Sequence, residues 1–95
     1  MEVPEEYYIG IYARSGIATR ENLRPANCTG VVDSDYRGEV TVPIHNDSDE
    51  SRFITPHEKI AQLILSPVYE WDIDETDELS ITQRGAGGFG STGKW

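Results

Sequence analysis

Short apolar runs separated by Gly, Pro, Asn and Asp residues make up most of the hydrophobic pattern of this chain. Within most runs apolar and polar residues alternate, which is the period of a β-strand, whereas an amphipathic helix repeats about every 3.6 residues. The pattern therefore predicts an all-β domain. The predicted strands cover residues 8–12, 31–32, 39–44, 51–54 and 60–69.

The last of these strands, residues 60–69, carries apolar residues at both odd and even positions. A strand of this kind is covered on both faces. In a small domain the second cover comes either from another strand of the chain or from a neighbouring subunit, so the pattern favours an oligomer. In the strand predicted at 39–44, Pro43 has no N–H to donate and is expected at a sheet edge or a bulge.

Length and composition are those of one small globular domain, with 95 residues, of which 37% are hydrophobic and 26% are charged. The formal net charge is −9, whereas a protein that binds nucleic acid needs a basic patch to neutralise phosphates. No nucleic-acid partner is therefore expected. A ligand that contains phosphate would have to be bound by a few Arg side chains, by backbone N–H groups and by a divalent cation.

Cysteine content and hydropathy indicate a cytoplasmic protein without a membrane partner. Cys28 is the only cysteine, which excludes an intrachain disulfide and suits a reducing compartment. No apolar run approaches the roughly 18 residues of a membrane span, and no signal-peptide pattern is present. Residues 72–78 hold five carboxylates, and we interpret them as a solvated acidic connector with no metal-binding role.

The segment from residue 84 to residue 93 contains five Gly residues and is too flexible for a strand. Taken alone, it is equally typical of a disordered tail. The alternative interpretation is a flap that closes over a nucleotide. In that flap Arg84 binds a terminal phosphate and Phe89 stacks on a base, while Gly90, Ser91 and Thr92 offer backbone N–H and hydroxyl donors.

Four segments together resemble motifs of the trimeric dUTPases, in the order and at the spacing of that family. They are RSGIA at 14–18, GVVDSDYRGEV at 30–40, EKIAQLIL at 58–65 and RGAGGFGSTG at 84–93. The resemblance implies hydrolysis of dUTP to dUMP and pyrophosphate by a homotrimer. It also implies a jelly-roll-like β-barrel core over residues 1–83 and a flexible C-terminal arm over residues 84–95.

The resemblance assigns roles to three residues around the central motif. Asp33 would orient and activate the water that attacks the α-phosphorus, Tyr36 would pack beneath the deoxyribose and exclude a 2′-hydroxyl, and Asn27 would help to read the uracil edge. From the sequence pattern alone, the favoured interpretation of Asp33 is a turn residue at the tip of a β-hairpin, and Tyr36 is equally a core aromatic residue.

The remaining motifs imply contacts with the phosphate chain. They match Arg14, Ser15 and Gly16 in the first segment and Gln62 in the third. A lone Arg-Ser pair is otherwise typical of a solvated turn, and a lone Gln of a satisfied buried amide. The resemblance also implies Mg²⁺, bound through the triphosphate of the substrate, with no residue of this chain assigned as a metal ligand.

This chain departs from the family pattern in two places. His57 and Lys59 stand where Gly and Arg are usual, and no segment matches the family's first motif, whose Asp orders the Mg²⁺ shell. We therefore expect low stability and reduced or absent turnover for these residues on their own. Two alternatives stay open, a nucleotide-binding regulator without catalysis and, less in keeping with the central motif, a dCTP deaminase on the same barrel.

Overall fold

The computed structural model describes the whole chain, from Met1 to Trp95, and confirms the all-β prediction. Two antiparallel sheets contain all five strands and are accompanied by a single short helix. The strands are β1 (Tyr7–Ala13), β2 (Leu23–Pro25), β3 (Gly30–Val32), β4 (Ile44–Asn46) and β5 (Ala61–Pro67), and the helix is α1 (Ser15–Arg20). In one sheet the order is β3-β1-β5, and the other pairs β2 with β4.

The strands predicted at 8–12, 31–32 and 60–69 are confirmed as β1, β3 and β5. Two other strand predictions are wrong. Of residues 39–44 only Ile44 belongs to a strand, β4, which starts after Pro43 because that residue cannot donate to a ladder. Residues 51–54 form no strand; Arg52 turns instead toward Glu21 and Glu50.

The sequence pattern did not predict α1, because six residues are too few to display a helical period. The helix is held by two bonds of the i to i−4 type, from Ala18 N–H to the Arg14 carbonyl at 3.0 Å and from the Thr19 hydroxyl to the Ser15 carbonyl at 2.6 Å. No helix in the structure has the length and apolar character needed to cross a membrane.

A small core lies on one face of the three-stranded sheet. Val3, Ile11 and Val32 form the buried cluster. Antiparallel pairing places Ile9 opposite Val32 and also opposite Leu65, so these three side chains share that face. Only seven of the 95 residues are buried, so a single chain builds very little interior.

The apolar residues of β5 remain half-exposed. Leu63 and Leu65 lie on the core face and are 43% and 52% exposed, while Ile64 on the opposite face is 44% exposed. Within a single chain, the prediction that β5 is covered on both faces is therefore wrong, because no other strand of the same chain covers its second face. Regular structure ends at Pro67.

Candidate active site

Four residues of the predicted site lie at one end of the three-stranded sheet: Arg14, Ser15, Gly16 and Gln62. Arg14 follows β1 directly and caps the N-terminus of α1, while Gln62 lies opposite Tyr12 in β5. The structure thereby brings together the residues that the sequence assigned to the phosphate chain. Beside them, Arg14 and Gly16 line an open cleft of about 370 Å³.

Asp33 lies at the other end of the sheet, on the turn after β3. The turn is closed by a bond of 3.2 Å from Tyr36 N–H to the Asp33 carbonyl. The predicted hairpin tip is therefore only a turn, because no strand follows it to pair with β3. The Asp33 carboxylate is exposed and makes no hydrogen bond or ion pair within the chain.

Arg37 braces the turn that presents Asp33. Its guanidinium donates hydrogen bonds to the Ser34 carbonyl at 2.7 Å and to the Tyr36 carbonyl at 3.2 Å. It also forms an ion pair of 2.9 Å with Glu2. The Arg37 guanidinium is thus bonded both to the turn and to the N-terminal segment.

The hydroxyl end of the Tyr36 ring lies against Gly38. Its hydroxyl donates a hydrogen bond of 2.6 Å to the Glu39 carbonyl, and a Cβ built on Gly38 would lie 2.6 Å from Cζ of the ring. Any side chain at position 38 would therefore push the ring away from its present place. Tyr36 is 43% exposed, so it is not the core aromatic residue of the alternative interpretation.

Asn27 belongs to the loop between β2 and β3, which Arg24 organises. The Arg24 guanidinium donates to the Pro25 and Ala26 carbonyls at 3.2 and 3.4 Å and pairs with Asp47 at 2.8 Å. The hydrogen bond that Arg24 donates to the Asp47 carboxylate raises the pKa of Arg24 above its ordinary value, so Arg24 stays charged. The Asn27 amide nitrogen is 3.5 Å from the position of a Cβ on Gly30.

The two halves of the predicted site do not meet within one chain. Val32 pairs with Ile9, so Asp33 follows at the Tyr8 end of β1, whereas Arg14 adjoins the opposite end. The six residue-to-residue steps from Tyr8 to Arg14 span roughly 20 Å at about 3.3 Å per step. A water held by Asp33 is thus far from a phosphate bound at Arg14 of the same chain.

The groove around Asp33 also lacks cations of its own. It is open, with a volume of about 740 Å³, and its lining includes Glu5, Glu6 and Glu70 but no Lys or Arg. Such a lining repels an unaccompanied phosphate chain. Positive charge for a phosphate ligand beside Asp33 has to come with the ligand or from another chain.

The glycine-rich segment extends away from the sheets. Arg84 donates a hydrogen bond of 2.6 Å to the Gly87 carbonyl, and Ser91 N–H donates to the Gly88 carbonyl. Phe89 is fully exposed and Gly90 has a φ of +86°. No hydrogen bond or ion pair joins residues 84–93, including Thr92, to the strands, so the structure does not bring these residues to the others.

No metal centre is formed by side chains of this chain. No three or more His, Cys, Asp or Glu residues come close enough together to hold an ion. The acidic residues 72–78 are all exposed.

Sequence reasoning missed an alternating segment directly after β5. Tyr69, Trp71 and Ile73 are 80%, 76% and 75% exposed and are separated by Glu70 and Asp72. Alternation of this kind marks a strand with one apolar face, but Tyr69 was assigned to the preceding strand and Asp72 and Ile73 to the acidic connector. Within the chain these three side chains pack on nothing, and exposed apolar patches mark interaction surfaces.

The dUTPase family model matches residues 1–93. The chain belongs to the dUTPase family. Among its relatives, the deoxyuridine 5′-triphosphate nucleotidohydrolase of Nautilia profundicola is 47% identical over 93 residues, covering 98% of this chain and 66% of that protein. The enzyme of the same name from Rhizobium rhizogenes is 48% identical over 92 residues, covering 97% of this chain and 59% of that protein.

The three-dimensional structure agrees with the dUTPase assignment. A structure titled Staphylococcus bacteriophage 80alpha dUTPase with dUPNHPP superimposes with a TM-score of 0.74, over 98% of this chain and 70% of that chain, at 26% identity. The expected dUTPase β-fold is thereby confirmed. The dUTPase chain described here spans 59 to 66% of the length of the two curated dUTPases compared above.

One departure from the dUTPase pattern has a structural explanation. His57, which stands where the family usually has Gly, has a φ of +70°. This is the left-handed region that glycine adopts without cost and other residues adopt at roughly 1–2 kcal/mol. The turn is closed by a bond of 3.1 Å from Glu58 N–H to the Thr55 carbonyl, with His57 in this conformation.

Proposed function

We propose that the protein is a dUTP diphosphatase, which hydrolyses Mg²⁺-bound dUTP to dUMP and pyrophosphate. The observation that carries the proposal is the family match over residues 1–93. It is supported by the placement of Asp33 on an exposed turn and of Arg14 and Gln62 at one sheet end.

Asp33 supplies the base in this proposal. The Asp33 side chain is exposed and has no partner in the chain that would occupy its oxygens. It can therefore accept a hydrogen bond from a water and orient that water toward the α-phosphorus. The new P–O bond forms as the α,β-bridging P–O bond breaks, and pyrophosphate leaves.

Arg14, Ser15, Gly16 and Gln62 bind the phosphate chain in this proposal. A guanidinium, a hydroxyl, a backbone N–H without a neighbouring Cβ and an amide are suitable donors for phosphate oxygens. They stabilise charge that develops on the departing pyrophosphate. Mg²⁺ enters as part of the substrate, because the side chains of this chain form no metal cluster.

The nucleoside is selected by Asn27 and Tyr36 in the same proposal. The Asn27 amide offers both a donor and an acceptor to the uracil edge. The Tyr36 ring, held between Gly38 and the Glu39 carbonyl, packs against the deoxyribose and leaves no space for a 2′-hydroxyl. Selection against ribonucleotides then depends on how firmly the ring is held.

Replacing Gly38 with Ala is expected to lower the ratio of kcat/KM for dUTP to kcat/KM for UTP by about tenfold. The added Cβ would displace the ring from Gly38, and loss of a steric barrier of this size is worth about one to two orders of magnitude in discrimination. Steady-state kinetics with both nucleotides measures the ratio. Glu39→Ala, which adds no clash, is the control; an unchanged ratio in Gly38→Ala would contradict the role of the ring.

The proposal includes a homotrimer whose active sites lie between subunits. Three observations support it: the distance between Asp33 and Arg14, the half-exposed apolar residues of β5, and the unpaired apolar positions at 69, 71 and 73. A second subunit brings Asp33 beside Arg14. The C-terminal arm of a third subunit contributes a flap, which contains Arg84, Phe89, Gly90, Ser91 and Thr92.

Pyrophosphate release from dUTP tests the proposed activity, with dCTP as the matched nucleotide. A dUTP diphosphatase releases pyrophosphate from dUTP and leaves dCTP intact. A deaminase on this fold would instead release ammonia from dCTP. A chain of native secondary structure that turns over neither nucleotide in the presence of Mg²⁺ would refute the proposed activity.

A second candidate function is nucleotide binding that regulates another process. It is favoured by the likeness to the phage 80alpha dUTPase, which is described as one of the phage dUTPases that control transfer of virulence genes. Binding of dUTP without pyrophosphate release would support this candidate over the enzyme.

A further inference from the structure

The cations of this acidic chain fall into two groups. Of the eight Lys and Arg residues, three form ion pairs with carboxylates: Arg24, Arg37 and Arg52. The other five form none. These five residues lie in two places. Arg14, Arg20 and Lys59 line the cleft beside Arg14, and Arg84 and Lys94 belong to the C-terminal arm.

The cleft holds three of the unpaired cations, Arg14, Arg20 and Lys59. Two carboxylates, Glu21 and Glu58, also line it, but Glu21 is shared with Arg52 at 3.6 Å. In a protein with a net charge of −9, acidic partners for these cations are abundant elsewhere on the surface. Cations that gather without such partners leave a local excess of positive charge, which attracts an anion.

Arg20 is the member of this group to which no role has yet been given. It lies four residues after Gly16 on α1, and its Nη2 atom is 3.4 Å from the position of a Cβ on Gly16. Residues four apart share one helix face. The guanidinium therefore lies against the one residue of the phosphate motif that has no side chain, and an anion bound at the Gly16 backbone is within its reach.

We propose that Arg20 is a further substrate-binding residue, which contacts the pyrophosphate portion of the nucleotide and selects triphosphate over monophosphate. This inference rests on the proposed function. The pyrophosphate portion carries most of the charge of dUTP, and three clustered cations match a polyanion better than a single phosphate ester. The guanidinium fork also suits two oxygens at once.

Calorimetric titration of Arg20→Gln tests the proposal with three ligands: a non-hydrolysable imido analogue of dUTP, dUMP and inorganic tripolyphosphate. Loss of one charged hydrogen-bond donor is expected to weaken the binding of the analogue and of tripolyphosphate by about tenfold or more. Binding of dUMP is expected to stay within about twofold. Arg20→Lys keeps the charge without the fork, so an intermediate loss is expected.

The matched control is Lys94→Gln, which removes one unpaired cation from the C-terminal arm, outside the cleft lining. This variant is expected to bind all three ligands as the unmodified chain does. An equal loss for dUMP and the analogue in Arg20→Gln would indicate a structural effect and would overturn the proposal, as would no loss for either polyphosphate.

The outcome also separates this inference from the proposed function. If the unmodified chain binds tripolyphosphate but not the dUTP analogue, and Arg20→Gln loses tripolyphosphate, the Arg20 contact stands and the dUTP assignment falls. If the analogue binds equally to both forms, the dUTP assignment stands and the Arg20 contact falls. A chain that binds neither polyphosphate refutes both.

Discussion

Asp33→Asn is expected to abolish turnover of dUTP, with a loss of at least about 10²–10⁴-fold in kcat, while binding of dUTP is largely kept. The amide preserves the size of the side chain but cannot accept a proton from the attacking water, and general-base catalysis contributes a factor of this order. Pyrophosphate release gives kcat, and calorimetry with the imido analogue gives the affinity.

Asp35→Asn is the matched control, because Asp35 is an exposed carboxylate on the same turn, two residues away. It removes the same charge from the same loop, so any general electrostatic effect on an anionic substrate appears equally in both variants. Near-normal turnover in Asp33→Asn, or an equal loss in the two variants, would contradict the role given to Asp33.

Replacing Tyr69, Trp71 and Ile73 together with Ser is expected to dissociate the trimer and to reduce turnover at least about 100-fold. Burial of one large apolar side chain contributes roughly 1.5–3 kcal/mol, and these three side chains are at least 75% exposed in a single chain. Without association Asp33 and Arg14 stay apart. Light scattering measures the assembly and pyrophosphate release measures the turnover.

The control for this prediction uses the polar positions of the same segment. Replacing Glu70, Asp72 and Asp74 together with Ser changes as many residues but leaves the apolar alternation intact. This variant is expected to remain a trimer. A trimer that persists in the apolar variant would show that the segment does not mediate association.

The sequence was sufficient to predict those parts of the fold whose pattern is local. β1 and β3 are confirmed at Tyr7–Ala13 and Gly30–Val32, since each contains a short run of β-branched or aromatic residues. The placement of Arg14 and Gln62, which we propose to bind phosphate, was also predictable, since both stand in recognisable motifs and the pairing of Tyr12 with Gln62 brings them to one end of the sheet. Strand propensity and recognisable motifs act over a few neighbouring residues, so the sequence alone is sufficient to predict these features.

Features that depend on contacts distant in sequence escaped prediction. The strand predicted at 39–44 failed because Pro43 delays pairing until Ile44, which joins β2 rather than a hairpin partner. The contact between the Tyr36 ring and Gly38 depends on a side-chain rotamer, which the sequence does not specify. The sequence also does not show that Arg20 lacks an ionic partner, because ion pairs depend on where the folded chain places each cation and each carboxylate.

The central claim is that Asp33 and Arg14 act together only when they come from different subunits. Two variants of low activity, Asp33→Asn and Arg14→Ala, can be unfolded together in equal amounts and refolded into hybrid trimers. Each site that takes an intact Asp33 from one chain and an intact Arg14 from another should be active. Random assembly predicts recovery of about one quarter of the unmodified activity. Confirmed hybrid trimers with no activity above that of the separate variants would contradict the claim.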